Sequence, residues 1–285
     1  MSVAVILLAL LSSAFYGVAA VLQHYASEQA PPELSLNPKL LIELFRYPTW
    51  LFGNLFDITG FVFQFLALRF GALSLVEPIL VSSMVFAIPA ASVFRKKMPS
   101  LKDFSAAILT CIGLSIFLTV AHPHQSNKVP HLYGWLILTV IIATVVGILV
   151  ALSLNKENRT KALILSGASG FALGYLAASI ELVGHEIRHG YLHTLTTVGP
   201  YSLAVSGILV LLLIQSAYQL GEIRFTLPIL TVVQPIVAMT IGIVMFHDRI
   251  NIRGLSHMAP VVEVLGLIVM VIGVVYLSRQ EDLNI

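Results

Sequence analysis

Apolar residues come in long unbroken blocks, and the polar residues collect between them. A block of roughly 20 apolar residues crosses a bilayer as a helix. Nine such blocks are predicted, at 3–23, 48–69, 72–94, 103–121, 132–153, 161–184, 200–220, 225–246 and 258–278. The pattern predicts an all-α polytopic membrane protein in which 1–285 form a single membrane domain. The first block, Val3 to Leu22, has no basic residue before it and exceeds the apolar stretch of a signal peptide, so an uncleaved first span is expected. The longest connection, 24–47, holds Pro31, Pro32 and Pro38. Within it KLLIELF (39–45) reads equally as a short amphipathic helix on the membrane surface or as a loop.

Composition supports the same class. Only 11% of residues are charged, against about 25% in a soluble domain, and the mean hydropathy is +0.93. The expected surrounding is a lipid bilayer; a net charge of +2 gives no reason to invoke nucleic acid. The single cysteine, Cys111, rules out an intrachain disulfide and a cysteine metal cluster. No cofactor is implied, and a homodimer is left open. Lysine and arginine set orientation by favouring the cytoplasmic side. With the N-terminus outside, eleven of them fall inside, including RKK (95–97) and KENRTK (156–161), and five fall outside. The expected topology is N-terminus outside and C-terminus cytoplasmic, in the cell membrane.

An internal repeat is laid over this topology. Shifted by 150 residues, ALRFGALSLVEPIL (67–80) lies over AYQLGEIRFTLPIL (217–230) with five identities. In both copies a span ends in a glycine turn, a proline-containing span follows, then a polar loop, then a span with Ile-Gly inside (Ile112-Gly113, Ile272-Gly273). The shift moves the second span onto the seventh. Five is odd, so the copies face opposite ways, with 1–121 (helices 1–4) as the first repeat and 131–285 (helices 5–9) as the second. Inverted-topology repeats belong to transporters whose halves rock about a central site.

Polar groups at membrane depth are the candidate chemistry. A charge at mid-helix costs roughly 2.5–3.5 kcal/mol on insertion scales and usually faces the bundle interior. Asp57 falls near the centre of the second span, with Asn54 three before and Gln64 seven after, all on one face. Gly53 and Gly60 are also seven apart and allow another helix to approach. The stripe is a substrate or proton site, or else a hydrogen-bond cluster pinning helices. Glu77 precedes Pro78 in the third span and reads as cavity-lining or interfacial. The second half offers Gln234 before Pro235, with Thr231 one turn earlier, and Gln215 and Gln219 on one face beside Tyr218. Glutamines in spans act as interhelical glue or as ligands. Glu181 and Glu263, near outer ends, are expected to be solvated.

The segment FGALSLVEPILVSSMVFAIPAASVFRKKMPSLKDFSAAILTCIGLSIFL (70–118) resembles the drug/metabolite transporter superfamily, and FTLPILTVVQPIVAMTIGIVMFHDRI (225–250) looks like the same segment of a second half. The nine-span plan is similar to the NIPA-type magnesium transporter branch. FDITGFVFQ (56–64) and VEPIL (76–80) resemble the LDxxGFxxQ and VQPLL patterns of bacterial members. The resemblance implies transport of a small metabolite or cation through a pocket between the halves, without enzymatic activity. The magnesium branch carries its acid at the position of Phe61; here the acid is Asp57, one turn earlier, and Val-Glu-Pro replaces Val-Thr-Pro.

One motif points elsewhere. HEIRHGYLH (185–193) has H-E-x-x-H spacing, which on a helix sets His185 and His189 to share a zinc ion with Glu186 as general base. A zinc peptidase needs a third ligand. His193 lies eight residues from His185, about 12 Å along a continuous helix, unless Gly190 breaks it. His185 and His189 are therefore weak metal candidates. Eight of the nine histidines fall on the predicted outer face, which either gathers metals, senses pH, or reflects loops that avoid lysine and arginine. A scaffold or sensor without a cavity is the remaining class.

Overall fold

The computed structural model describes residues 3–95 and 129–247, together with 112, 123–124, 249–250, 268–269 and 272. Among these the protein is helical, apart from a two-residue antiparallel pairing of β1 (Pro123–His124) with β2 (Arg249–Ile250). The ten helices are α1 (Val3–Ser27), α2 (Lys39–Leu44), α3 (Pro48–Phe70), α4 (Leu73–Leu80), α5 (Ser83–Arg95), α6 (Leu132–Ser153), α7 (Asn158–Glu186), α8 (Tyr191–Thr194), α9 (Gly199–Leu220) and α10 (Ile223–Ile241). The last continues as a π turn over Gly242–Phe246.

Among the described residues six segments are long and apolar enough to cross a membrane: α1, α3, α6, α7, α9 and Ile229–Phe246. Their outward faces carry large apolar side chains, such as Leu55 and Val62 on α3, Val140 and Ile148 on α6, and Tyr201 and Val205 on α9. So much continuous exposed apolar surface fits a hydrocarbon surrounding and not water. The protein is a membrane protein with several spanning helices. The predicted spans 103–121 and 258–278, with Glu263, lie outside the described residues, apart from the helical positions 112, 268, 269 and 272.

One predicted span differs. Residues 72–94 form two helices, α4 and α5, parted at Val81–Ser82. There the backbone tightens to i→i−3 bonds, from the N–H of Ser82 to the carbonyl of Ile79 and from the N–H of Val85 to that of Ser82. The break lies between Pro78 and Pro89, each of which withholds a backbone donor. The Ser82 hydroxyl secures it, donating to the Ile79 carbonyl at 2.7 Å and pairing with the Ser13 hydroxyl of α1 at 2.9 Å. Segment 39–45 resolves the other open reading. Most of it is the helix α2, whose Leu40 and Leu44 are buried against Ala26, Ala30 and Trp50 while Ile42 stays exposed.

Small residues let the helices approach. α1 packs along α3, α4 and α5. A Cβ at Gly53 would meet Gln23 Cγ at 2.9 Å, and one at Gly60 would meet Tyr16 Cδ1 at 2.9 Å. Ser12 of α1 also donates to the Gly60 carbonyl at 2.8 Å. On the other side α7 packs along α9 and α10, where a Cβ at Gly174 would meet Val237 Cβ at 2.7 Å. α6 rests on the flank of α7, with most of its surface outward.

The two glycine turns have the same form. α3 ends at Gly71 (φ −135, ψ 157) and α9 at Gly221 (φ −141, ψ 151). Each is followed by one extended residue, Ala72 or Glu222, before the next helix begins. Neither site has room for a side chain: a Cβ would strike Val5 at Gly71 and Ala162 Cβ, 2.5 Å away, at Gly221.

Candidate functional site

A cavity of about 620 Å³ lies within the bundle, lined by residues of α1, α3, α4, α5, α7, α9 and α10. α3 presents Asn54, Asp57, Ile58, Phe61 and Gln64 to it. Their spacing of three and four keeps them on one helical face. α4 contributes Glu77, and α10 contributes Thr231 and Gln234. Five of the seven predicted site residues (Asn54, Asp57, Gln64, Glu77 and Gln234) thus meet at one space.

One hydrogen-bond chain ends on Glu77, and a second leads toward Asp57. In the first, the Tyr16 hydroxyl donates to Gln64 Oε1 at 2.6 Å, which fixes the amide so that Gln64 Nε2 donates to Glu77 Oε1 at 2.8 Å. Gln234 Nε2 donates to the other oxygen, Glu77 Oε2, also at 2.8 Å. Glu77 is only 1% exposed, so the interfacial reading is replaced by a buried one. Its carboxylate joins α3 to α10, helices from the two sides of the cavity.

In the second chain, the Ser27 hydroxyl donates to Gln215 Oε1, and Gln215 Nε2 donates to Gln23 Oε1 at 2.8 Å. The remaining amide group of Gln23 faces Asp57. Tyr16 and Tyr218 stand close enough to Asp57 to feel its charge. Asn54 is turned back, its Nδ2 donating to the Trp50 carbonyl at 2.8 Å while its side chain still borders the cavity.

Gln215 and Gln219 are not among the lining residues. Gln215 is fully buried one step behind Gln23. Gln219 holds the loop after α1, donating to the carbonyls of Ala30 and Pro31. Nearby, His24 Nε2 lies 3.2 Å from the Gly221 carbonyl, and the Leu36 N–H donates to Ser216 Oγ at 2.9 Å. These contacts seal the bundle at the C-terminal end of α1. Replacing Gln215 with leucine leaves Gln23 Oε1 without its donor and Ser27 without its acceptor. Each buried unpaired group costs about 1–3 kcal/mol, so Gln215→Leu is expected to lower the thermal midpoint of the purified protein. An unshifted melting curve would contradict this bracing role.

Two lining residues beside the carboxylates escaped the sequence reading, Tyr16 and Gln23, whereas Tyr218 and Thr231 were noted there as neighbours of the glutamines. Tyr16 and Gln23 are seven apart on α1, the same spacing that marks Asp57 and Gln64, so the signal was present. Glu181 is a correction of another kind. It is fully buried, 3.7 Å from His185, and not solvated. α7 continues to Glu186, and the His185 ring stacks on Phe246 at 5.9 Å, which closes that end over Glu181.

Within the zinc motif, the same packing turns His185 and Glu186 to different neighbours. His185 faces Glu181 and Phe246, while Glu186 turns to Thr197 and the backbone of Gly199 at the start of α9. Gly190, at φ +115, breaks the chain direction before α8. Among the described residues no three His, Cys, Asp or Glu side chains are grouped to hold a metal ion. The side chain of His189 lies outside the described residues.

The chain is 26% identical over 283 residues to an uncharacterized protein of Corynebacterium glutamicum, across 98% of this chain and 96% of that protein. No protein-family model matches the chain. No solved structure matches it.

Proposed function

We propose that the protein is a multipass transporter of the drug/metabolite type, carrying a small solute through the central cavity by movement of two inverted halves. The observation that carries this reading is Glu77, a buried carboxylate in the cavity wall that accepts one amide from Gln64 and another from Gln234 across the bundle. A ligand or proton arriving there changes the bonds between the two sides directly. A carboxylate at membrane depth beside an internal cavity is otherwise a costly feature.

The inverted-repeat reading gains support from packing. α1 stands to α3 and α4–α5 as α7 stands to α9 and α10. The turns at Gly71 and Gly221 match in backbone angles. The broken helix α4–α5 beside the cavity is also a common feature of transporter sites. In this reading the N-terminus is outside the cell membrane, and the seal formed by Gln215 and Gln219 closes the cytoplasmic side.

Asp57 is the proton-coupling residue in this mechanism. Asp57→Asn in proteoliposomes is expected to abolish pH-driven uptake, scored with a panel of magnesium, amino acids and organic cations, while leaving the protein folded. Unchanged pH-driven uptake would remove Asp57 from the mechanism. Uptake of none of the panel by the wild type, with no proton movement across the vesicle, would count against transport itself.

A further inference from the structure

We propose that α2 is a membrane-surface anchor: Ile42 and Phe45 sit in the phospholipid leaflet at the sealed end of the bundle, and the leaflet thereby holds the segment that closes that end. The anchor requires only the membrane setting, and not the transport reading.

The helix carries three faces. Successive residues lie about 100° apart around a helix axis. Leu40 and Leu44 share the face packed on Ala26, Ala30 and Trp50. Lys39, Glu43 and Arg46 share a polar edge, where Arg46 Nη1 lies 3.0 Å from Glu43 Oε2. Ile42 and Phe45 make the third face and remain 69% and 62% exposed. The backbone at Phe45 (φ −60, ψ −17) keeps that residue in helical register. Its ring meets Trp50 edge-on at 4.9 Å and still leaves most of its surface outward. A helix on a soluble surface has one apolar face, turned to the core. This one has a second, turned away from the bundle.

The position of α2 names the occupant. It lies between the spanning helices α1 and α3, and only residues 45–47 part it from Pro48, the first residue of α3. The exposed apolar side chains continue along the chain as Leu51, Phe52 and Leu55 of α3. α2 therefore stands at the level where the chain enters the bilayer. There a short amphipathic helix lies in the plane of the interface, its apolar face among the upper acyl chains and its charges at headgroup level. Lys39 and Arg46 bracket the helix as partners for lipid phosphate. Two basic groups against one acid leave this edge a net charge of +1, so a zwitterionic phospholipid suffices.

The anchor holds the strap 28–38, which runs from α1 to α2. Gln219 of α9 donates to the Ala30 and Pro31 carbonyls, and the Leu36 N–H donates to Ser216 Oγ at 2.9 Å. Just beyond α2 the Tyr47 hydroxyl reaches back to the Gln29 carbonyl at 3.1 Å. On the inner side Leu211 of α9 packs against the cluster of Leu40 and Leu44, and Leu211 also lines the cavity. Six residues are too few to hold a helix by themselves. Lifting α2 out of the leaflet loosens the strap and this part of the cavity wall together.

The test uses the full chain in phosphatidylcholine nanodiscs, in a Cys111→Ser background, with one nitroxide-labelled cysteine at a time. Collision with oxygen, which concentrates in lipid, is compared with collision with a nickel chelate, which stays in water. Ile42→Cys is expected to be rich in oxygen and poor in nickel contact, at a shallower depth than Val62→Cys on α3. Lys39→Cys is expected to show the reverse. Nickel access at Ile42→Cys equal to that at Lys39→Cys leaves the face in water and overturns the proposal. Shielding from both reagents also overturns it, because a second copy or another part of this chain then covers the face. For the strap, hydrogen exchange of the peptide that holds Leu36 is expected to quicken at least about tenfold in Ile42→Ser with Phe45→Ser. The same peptide is expected to keep the wild-type rate in Val140→Ser with Ile148→Ser, which removes apolar surface from α6 instead. Equal quickening in both pairs, or in neither, overturns the hold of the leaflet on the strap.

Discussion

Glu77→Leu is expected to cost the protein its stability as well as the proposed transport. The substitution removes the acceptor of two amides at once, Gln64 Nε2 and Gln234 Nε2. Gln64 cannot turn to find another, because its Oε1 is held by the Tyr16 hydroxyl. Each amide left unmade in the interior costs about 1–3 kcal/mol. At about 2–4 °C per kcal/mol for a chain of this class of size, the melting midpoint should fall by roughly 5–20 °C. Glu77→Gln is the informative contrast. A glutamine there still offers one oxygen to Gln64, and Gln234 can invert its amide to accept from the new Nε2. Near-normal melting with lost uptake is expected, which separates the structural demand for an acceptor from the functional demand for a charge. Similar melting of Glu77→Leu and the wild type would show that the carboxylate does not join the two sides.

The second large effect belongs to Gly17. A Cβ there would fall on the carbonyl oxygen of Ser83 and stand 2.9 Å from the Ala87 nitrogen and 3.0 Å from Phe86 Cβ. Two of these three atoms are backbone, which cannot swing aside, so α1 and α5 must separate. Overfilling a packed core typically costs about 1–3 kcal/mol, and more where the backbone has to move. Separation would also pull Ser13 from Ser82 and loosen the helix break that follows α4, the helix of Glu77. Gly17→Val is expected to give little monodisperse protein by gel filtration. Gly147→Ala is the control, since no atom lies within 4 Å of the added carbon, and it should purify as the wild type does. Equal yields of the two variants would mean that the contact of α1 with α5 is not limiting.

What the sequence revealed was governed by how local each signal is. The stripe of Asn54, Asp57 and Gln64 was legible because helical periodicity alone puts those residues on one face, and all three border the cavity. Gln215 and Gln219 carry an equally clear pattern, yet periodicity does not say which neighbour a face meets. Theirs meets α1 and the loop after it. Glu181 was misjudged because distance from a span end was taken as depth. The helix extends two residues further than expected, and Phe246 of a different helix covers it. The break at Val81–Ser82 was not expected, since 72–94 reads as one apolar block; Ser82 secures it locally, but its partner Ser13 comes from α1. The pairing of Glu77 with Gln234 spans 157 residues, and nothing local announces it.

The seal at the end of α1 has a consequence for biogenesis. Gln23 and Gln215 are 192 residues apart, and a ribosome adding about 5–20 residues each second needs roughly 10–40 s to cover that distance. Throughout that interval the first helix sits in the translocon or the lipid with its glutamine unmet. Nascent chains arrested before residue 215 should therefore engage membrane chaperones and degradation machinery more readily than chains arrested just beyond it.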